Sequence, residues 1–314
     1  MKLTDAAVRH LRDAIDAPDA GARYDIGSLL GRGGMGAVYQ ATDHVLARDV
    51  ALKVLSLDAE SDALSQRLTR EARILAQLEH PGIVAVHDAG VLADGRPFYV
   101  MRLVRGTWID ARARTLGIGE VLRLFLRACE AVAFAHARGV IHRDLTPRNV
   151  MVGEYGEVLV LDWGVASAVR DKDAADPDGA RLGYRSEPGV VVGTPGFMAP
   201  EQALGAAAQI DDRVDVFGLG AILRVLVSEH SFPNARSLTA IVERATAPEP
   251  GMRYATVNEL ADDVRRWLDG EAVSAYREGP LERMARFYQR NKTLILLLAA
   301  YAVVRVVILL WRGV

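Results

Sequence analysis

The chain has 314 residues, half of them hydrophobic and a quarter charged, with 38 basic against 40 acidic side chains and a net charge of −2. That length and apolar content suit one large two-lobed domain or two small ones, and the near-neutral balance gives no electrostatic reason to expect nucleic acid as a partner. The single cysteine, Cys129, excludes an intramolecular disulfide framework and fits a reducing compartment. It sits in the apolar stretch LFLRACEAVAFAHA and reads as a packing thiol.

The N-terminal MKLTDAAVRHLRDAIDA lacks the apolar core of a secretory signal. Leu3, Ala7, Val8, Leu11 and Ile15 mark one face of a short amphipathic helix with Thr4 or Asp5 as N-cap, and APDAGA then reads as a linker, so that residues 1–22 stand apart. GSLLGRGGMGAVYQA holds Gly31, Gly33 and Gly36 in G-x-G-x-x-G spacing. Dinucleotide-binding folds share this spacing, but there the glycines run into a helix. Here the β-branched and aromatic AVYQAT follows, then a second apolar run, DVALKVL, so strand, glycine turn and strand form a hairpin that would lie over phosphates. A hairpin that is merely rich in glycine stays open as the plainer reading of the loop alone.

Lys53 stands among apolar residues in VALKV, and a Lys in that setting needs a partner. The helical stretch SDALSQRLTREARILAQLEH offers Glu71, flanked by Leu64, Leu68, Leu75 and Leu78 at helical spacing. RPFYVMRLVRG reads as a strand running into an extended connector. Further on, HRDLTPRN places Asp144 five residues before Asn149, and the apolar strand of VLVLDWG ends in Asp162. Carboxylate and amide oxygens at such positions suit a hard divalent cation, which keeps several waters and needs only one or two protein ligands.

These motifs, followed by GTPGFMAPE and DVFGLG, occur in an order and at intervals that together are far more specific than any one of them. Over about residues 23–270 the sequence resembles a eukaryotic-type Ser/Thr protein kinase of the membrane-anchored bacterial kind. The resemblance implies an α+β, two-lobed protein kinase fold, with a small β-rich N-lobe and a larger α-helical C-lobe. It implies an ATP-dependent enzyme that transfers the γ-phosphate to Ser/Thr hydroxyls of protein substrates in signal transduction and phosphorylates itself, with Mg²⁺, or Mn²⁺ in its place. Gly31, Gly33 and Gly36 would cover the phosphates, and Lys53, paired with Glu71, would reach the α- and β-phosphates. Val38 and Ala51 would line the adenine pocket, Met101 would sit at its back, and Leu103 and Val104 would offer backbone groups to the base. Asp144 would orient the substrate hydroxyl, Asn149 and Asp162 would hold the metal, and Thr194 would hydrogen-bond Asp144. Glu201 would pair with Arg253, and Asp215 would accept hydrogen bonds from the backbone of the catalytic loop.

The sequence departs from the family in four places. Thr146 stands where Ser/Thr kinases usually keep a Lys, and Arg148, two positions later, would supply the positive charge as in the similar loop of tyrosine kinases. Trp163 replaces the usual Phe after the metal-binding Asp, which implies altered packing without lost chemistry. Arg102 replaces a more usual acid, and the region before LTAIVERATAPEPGMRY is short, so the lower C-lobe is trimmed. The alternative reading is a pseudokinase, a nucleotide-binding or interaction module. Arg143 beside Asp144 implies control by phosphorylation of the long polar loop, with Ser186 and Thr194 as the nearest candidates and Tyr184 behind them.

Thr293–Trp311 has 19 residues and one charge. As a helix it would span about 28 Å, close to the hydrocarbon thickness. Twelve Leu, Ile and Val residues at roughly −0.3 to −0.6 kcal/mol each outweigh a central Arg at about +2.5 to +3.5 kcal/mol. The reading is a single C-terminal transmembrane helix over 293–311, preceded by a basic juxtamembrane segment over 271–292. The positive-inside rule then puts the kinase domain on the cytoplasmic side of the cell membrane. A buried amphipathic C-terminal helix is the alternative. Arg305 is a candidate contact for a membrane partner or a second copy in a homodimer. With only RGV after Trp311, no sensor domain is expected beyond the span.

Overall fold

The computed structural model describes residues 19–33, 36–55, 69, 72–163, 167–168, 194–204, 210–228, 230 and 235–312. Tyr24–Gly33 (β1) and Gly36–Asp43 (β2) form the expected antiparallel hairpin, with Gly33 opposite Gly36. Arg48–Leu55 (β3), Val86–Val91 (β4) and Pro97–Arg102 (β5) complete a five-stranded antiparallel sheet in the order β1-β2-β3-β5-β4. Alternation along β3 buries Val50, Leu52 and Val54 with Tyr24, Phe98 and Val100 in a small core on one face. The opposite face carries Ala51 and Lys53. Asp43 holds the β2–β3 turn, its buried carboxylate accepting the N–H groups of Val45 (3.1 Å) and Leu46 (3.3 Å).

The chain leaves β5 through an extended connector into Gly106–Trp108 (β6), the short helix Ile109–Ala113 (α1) and the long helix Ile118–Ala137 (α2). The Glu120 carboxylate accepts the Gly117 N–H at 3.3 Å at the start of α2. Val121, Leu122, Phe125, Cys129 and Val132 recur at helical spacing and are buried, and burial pushes the Cys129 thiol far above its ordinary range, as suits an inert packing residue. Two small sheets lie against α2. One pairs Val140–Ile141 (β7) with Ser167–Ala168 (β10); the other orders β6-β8-β9, from Val150–Gly153 (β8) and Val158–Val160 (β9).

Pro200–Ala203 (α3), Arg213–Ser228 (α4), Ala235–Ala245 (α5) and Val257–Leu268 (α6) complete the helical lobe, whose large core joins α2, α4, α5 and α6 to the small sheets. The result is a two-lobed fold, β-rich at the N-terminal end and helical at the C-terminal end. From α4 the chain passes to α5 in six residues, the stretch the sequence marked as short. After α6 come Pro280–Arg290 (α7) and Lys292–Arg312 (α8). Among the described residues no helix is long and apolar enough to cross a membrane. α8 covers the segment where a span was expected, with several of its side chains outside the described set.

Candidate active site

The cleft face of β3 presents Lys53, opposite Val38 of β2 and Tyr99 of β5. Its residue is only 7% exposed, and its Nζ lies 3.0 Å from Asp162 Oδ1. Ala51 is buried and directly opposite half-buried Met101, while Leu103 and Val104, also half-buried, occupy the connector after β5. Gly31, Gly33, Gly36 and Val38 all lie in the β1–β2 hairpin that edges the same face. Glu71, expected as the partner of Lys53, lies outside the described residues, as do Tyr184 and Ser186.

Asp162 is positioned by what flanks it. The strand β9 is fully buried, and Trp163 is completely buried. Between them Asp162 takes a left-handed backbone, φ 57°, which short polar side chains tolerate best among non-glycine residues. Its carboxylate is thereby half exposed, at 52%. Trp163 donates its indole N–H to the Val160 carbonyl at 3.3 Å, and its ring lies 4.6 Å from the His142 ring, centroid to centroid, tilted by 52°. His142 Nε2 donates to the Leu161 carbonyl at 3.0 Å while Nδ1 accepts the Asp144 N–H at 3.3 Å, a tautomer set by its two partners. The larger aromatic is accommodated as a wedge that joins the catalytic loop to the strand before Asp162.

The loop itself hangs on Asp215. Its carboxylate, on the buried start of α4, accepts the N–H groups of His142 and Arg143, each at 2.8 Å, and a third contact from His136 Nε2 at 2.7 Å. Burial alone would raise the Asp215 carboxyl, but His136 and the backbone donors more than offset it and hold it below its ordinary value. Burial likewise disfavours the His136 imidazolium, and the Asp215 carboxylate overrides it, so His136 is held above its ordinary value. The backbone contacts are those that the family resemblance implied for Asp215. The His136 contact was not anticipated, although HARGVIH places that histidine at the end of α2, where α4 passes.

Asp144 Oδ1 accepts both the Thr194 hydroxyl (3.1 Å) and the Thr194 N–H (3.2 Å). The Asn149 side-chain amide donates to the Asp144 carbonyl at 2.6 Å. A 3₁₀ turn over Pro147–Asn149 sets that register, closed by Asn149 N–H to the Thr146 carbonyl at 3.0 Å. Thr146 is buried; Arg148 is exposed, its guanidinium 5.9 Å from the Trp108 ring centroid. Below the site, Arg253 grips Glu201 through two bonds of 2.6 and 2.8 Å and also donates to the carbonyls of Arg213, Ala247 and Pro248. The three carbonyl contacts were beyond the sequence reading.

Among the described residues no group of three His, Cys, Asp or Glu side chains could hold a metal. A site of the magnesium type needs fewer ligands, and the half-exposed Asp162 carboxylate together with the Asn149 amide oxygen are the oxygen donors it would take.

A buried lysine on the third strand, an Asp–Asn loop braced by a buried Asp, and a half-exposed Asp after a buried strand define a phosphoryl-transfer fold of the protein kinase class. The chain belongs to the protein kinase domain family, which matches residues 24–267. It is 33% identical over 295 residues to the serine/threonine-protein kinase PknD of Chlamydia felis, and 34% identical over 296 residues to PknD of Chlamydia pneumoniae. Each match covers 79% of this chain and 31% of the relative, so the chain spans about a third of those relatives' length. The crystal structure of the Mycobacterium tuberculosis PknI kinase domain superposes with a TM-score of 0.58 at 28% identity, covering 78% of this chain and 96% of that one. Members of this family use ATP and a divalent metal, typically Mg²⁺.

Proposed function

We propose that this chain is an active Ser/Thr protein kinase, anchored by α8 to the cell membrane with its catalytic lobes in the cytoplasm. One observation carries the catalytic part: Asp144 Oδ1 is fixed by two bonds from Thr194, while Asn149 holds the Asp144 carbonyl. That arrangement supports reading Asp144 as the carboxylate that would meet a substrate hydroxyl, with Asn149 as a metal ligand in register with it. Asp144 would accept or orient the proton of a Ser or Thr hydroxyl, and Lys53 would hold the phosphates under the β1–β2 hairpin with Glu71 as its partner. Asn149 and Asp162 would bind the divalent metal. ATP and the metal supply the transferred phosphoryl group and the neutralisation of its charge. A decayed enzyme usually loses one of the residues at the positions of Lys53, Asp144, Asn149 and Asp162, and all four are present, which favours the active reading over the pseudokinase.

Purified full-length chain incubated with labelled ATP and Mg²⁺ is expected to phosphorylate itself and a generic protein substrate. Asp144→Ala and Asp162→Ala are expected to reduce transfer to background. No transfer by the unsubstituted chain would leave nucleotide binding or assembly as its output.

The anchoring part rests on the composition of α8 and on its exposed Leu296, Leu297, Leu298, Val303, Val304 and Ile308. Arg305 leans one turn toward the N-terminus, its Nη1 3.2 Å from the Tyr301 hydroxyl, the direction helical side chains favour. A membrane partner with an acidic side chain would offer Arg305 a counter-charge; a second copy would bring none from α8, which has no Asp or Glu.

A further inference from the structure

The helix before the proposed anchor has two different sides. At about 100° per residue, Leu281, Met284, Ala285, Phe287 and Tyr288 fall by position within an arc of about 160°, and Glu282, Arg283, Arg286 and Arg290 fall on the other side. Of the polar side, Glu282 and Arg286 are held by the segment before the helix and by Arg236 of the kinase domain, while Arg283 is exposed. Tyr276 donates its hydroxyl to Glu282 at 3.0 Å, the Glu282 carboxylate also accepts the Gly279 N–H at 2.9 Å, and Arg236 of α5 lies 3.9 Å from it. Arg286 pairs with Glu278 at 2.7 Å. The segment leading in is fixed to α6, where Asp263 accepts the N–H (2.8 Å) and hydroxyl (2.7 Å) of Ser274 and the N–H of Ala275 (3.1 Å).

With Glu282 and Arg286 so held, α7 directs its apolar side away from the lobe. Met284 is 66% exposed, Phe287 64% and Tyr288 48%. Three large side chains on one short helix face form a patch that a free surface rarely shows without an occupant. Its surroundings name the occupant. From Pro280 to Lys292 there are four basic residues and one acidic, and after the single residue Asn291 the chain enters the apolar α8. A second copy packed on this face would bring the arginines of both helices close together. An anionic phospholipid surface would meet the basic and the apolar side chains at once.

We propose that α7 lies in the headgroup layer of an anionic membrane, with Met284, Phe287 and Tyr288 in the acyl boundary and Arg283 and Arg290 among the phosphates. It thereby holds the C-lobe at a fixed orientation to the bilayer. The inference rests on the anchored reading of α8, and its test separates the two.

Because Cys129 is fully buried, full-length chain can be labelled selectively with a polarity-sensitive fluorophore at Met284→Cys, Phe287→Cys, Arg283→Cys or, on α8, Val303→Cys. Each is placed in vesicles of phosphatidylcholine with or without phosphatidylglycerol, and quenching by acrylamide is measured. With phosphatidylglycerol present, labels at 284 and 287 are expected to be blue-shifted and about threefold or more less quenched than the label at 283. Arg283→Glu with Arg290→Glu is expected to abolish the gain from phosphatidylglycerol. Equal quenching at 283, 284 and 287 while 303 is shielded would overturn the proposal and leave the anchor standing. Shielding at 284 and 287 that grows with the protein-to-lipid ratio would make a second copy the occupant and would also overturn it. If 303 is quenched freely, the anchor reading falls. Shielding at 284 and 287 on phosphatidylglycerol then supports the α7 surface by itself, and its absence removes both.

Discussion

Arg148 and Thr146 decide how the catalytic loop meets negative charge. Thr146 is buried and contributes no charge, whereas Arg148 is exposed on the loop, its guanidinium 5.9 Å from the Trp108 ring centroid. If Arg148 supplies the cation that Ser/Thr kinases usually place at the other position, Arg148→Ala should lower kcat by about 10²-fold, the scale of losing one preorganised charge-stabilising donor. Adding Thr146→Lys in that background should restore most of the loss; unchanged turnover in Arg148→Ala would refute the compensation. Thr194 offers a second residue-scale test. Thr194→Val removes the hydroxyl bond to Asp144 but leaves the backbone one, so turnover of a protein substrate should fall by about 10-fold or more through loss of orientation. Thr194→Ser should retain most activity.

At the scale of elements, the site depends on a helix it does not contain. Asp215 on α4 carries the loop backbone, and His136 on α2 carries Asp215. His136→Ala should cost about 1–3 kcal/mol, because a buried carboxylate loses one of its hydrogen-bond donors. The pH dependence follows from the two shifts. His136 is raised above 6.5, so its share of stability is complete below that value and is lost as pH rises through its folded value. Asp215 is depressed below 3.8, so its share is present above that value and is lost as pH falls through its folded value. Urea titrations of the two proteins should therefore differ most between those bounds, near pH 5 to 6, and less at pH 9. A deficit that grew with pH would contradict the ion pair. Arg253 joins three segments in the same manner, and Arg253→Ala, which strands Glu201 beneath the site, should cost about 3–5 kcal/mol in the same measurement.

For the whole molecule, the proposed reading gives the catalytic lobes and the C-terminal helices separate roles. The family match ends at residue 267 and α8 begins at Lys292. Introducing charges into α8, Leu297→Arg with Val303→Arg, should shift the full chain from the membrane fraction to the soluble one, since each central Arg costs about 2.5–3.5 kcal/mol of insertion. Phosphotransfer in detergent should change little. Retention in the membrane fraction would point to α7 or a partner as the principal anchor.

Much of this protein was written locally. An apolar run marked β3, an apolar helical stretch marked α2, and the hairpin was readable because β-branched and aromatic residues follow the glycines in place of a helix. Asp144, Asn149 and Asp162 were found by type and spacing, and Asp215 and the Glu201–Arg253 pair came with the family resemblance, because those residues recur at fixed intervals along one chain. Tertiary structure alone decided which groups meet across long separations. Lys53 bonds Asp162 from 109 residues away, and His136 bonds Asp215 from 79. His142 reaches the Leu161 carbonyl, and Asp162 turns outward between a buried strand and a buried Trp163. The outward side of α7 was settled the same way, because an amphipathic pattern gives two faces and says nothing of which one is taken. The contacts of Glu282 with Tyr276 and Arg236 took the polar one and left Met284 and Phe287 facing out.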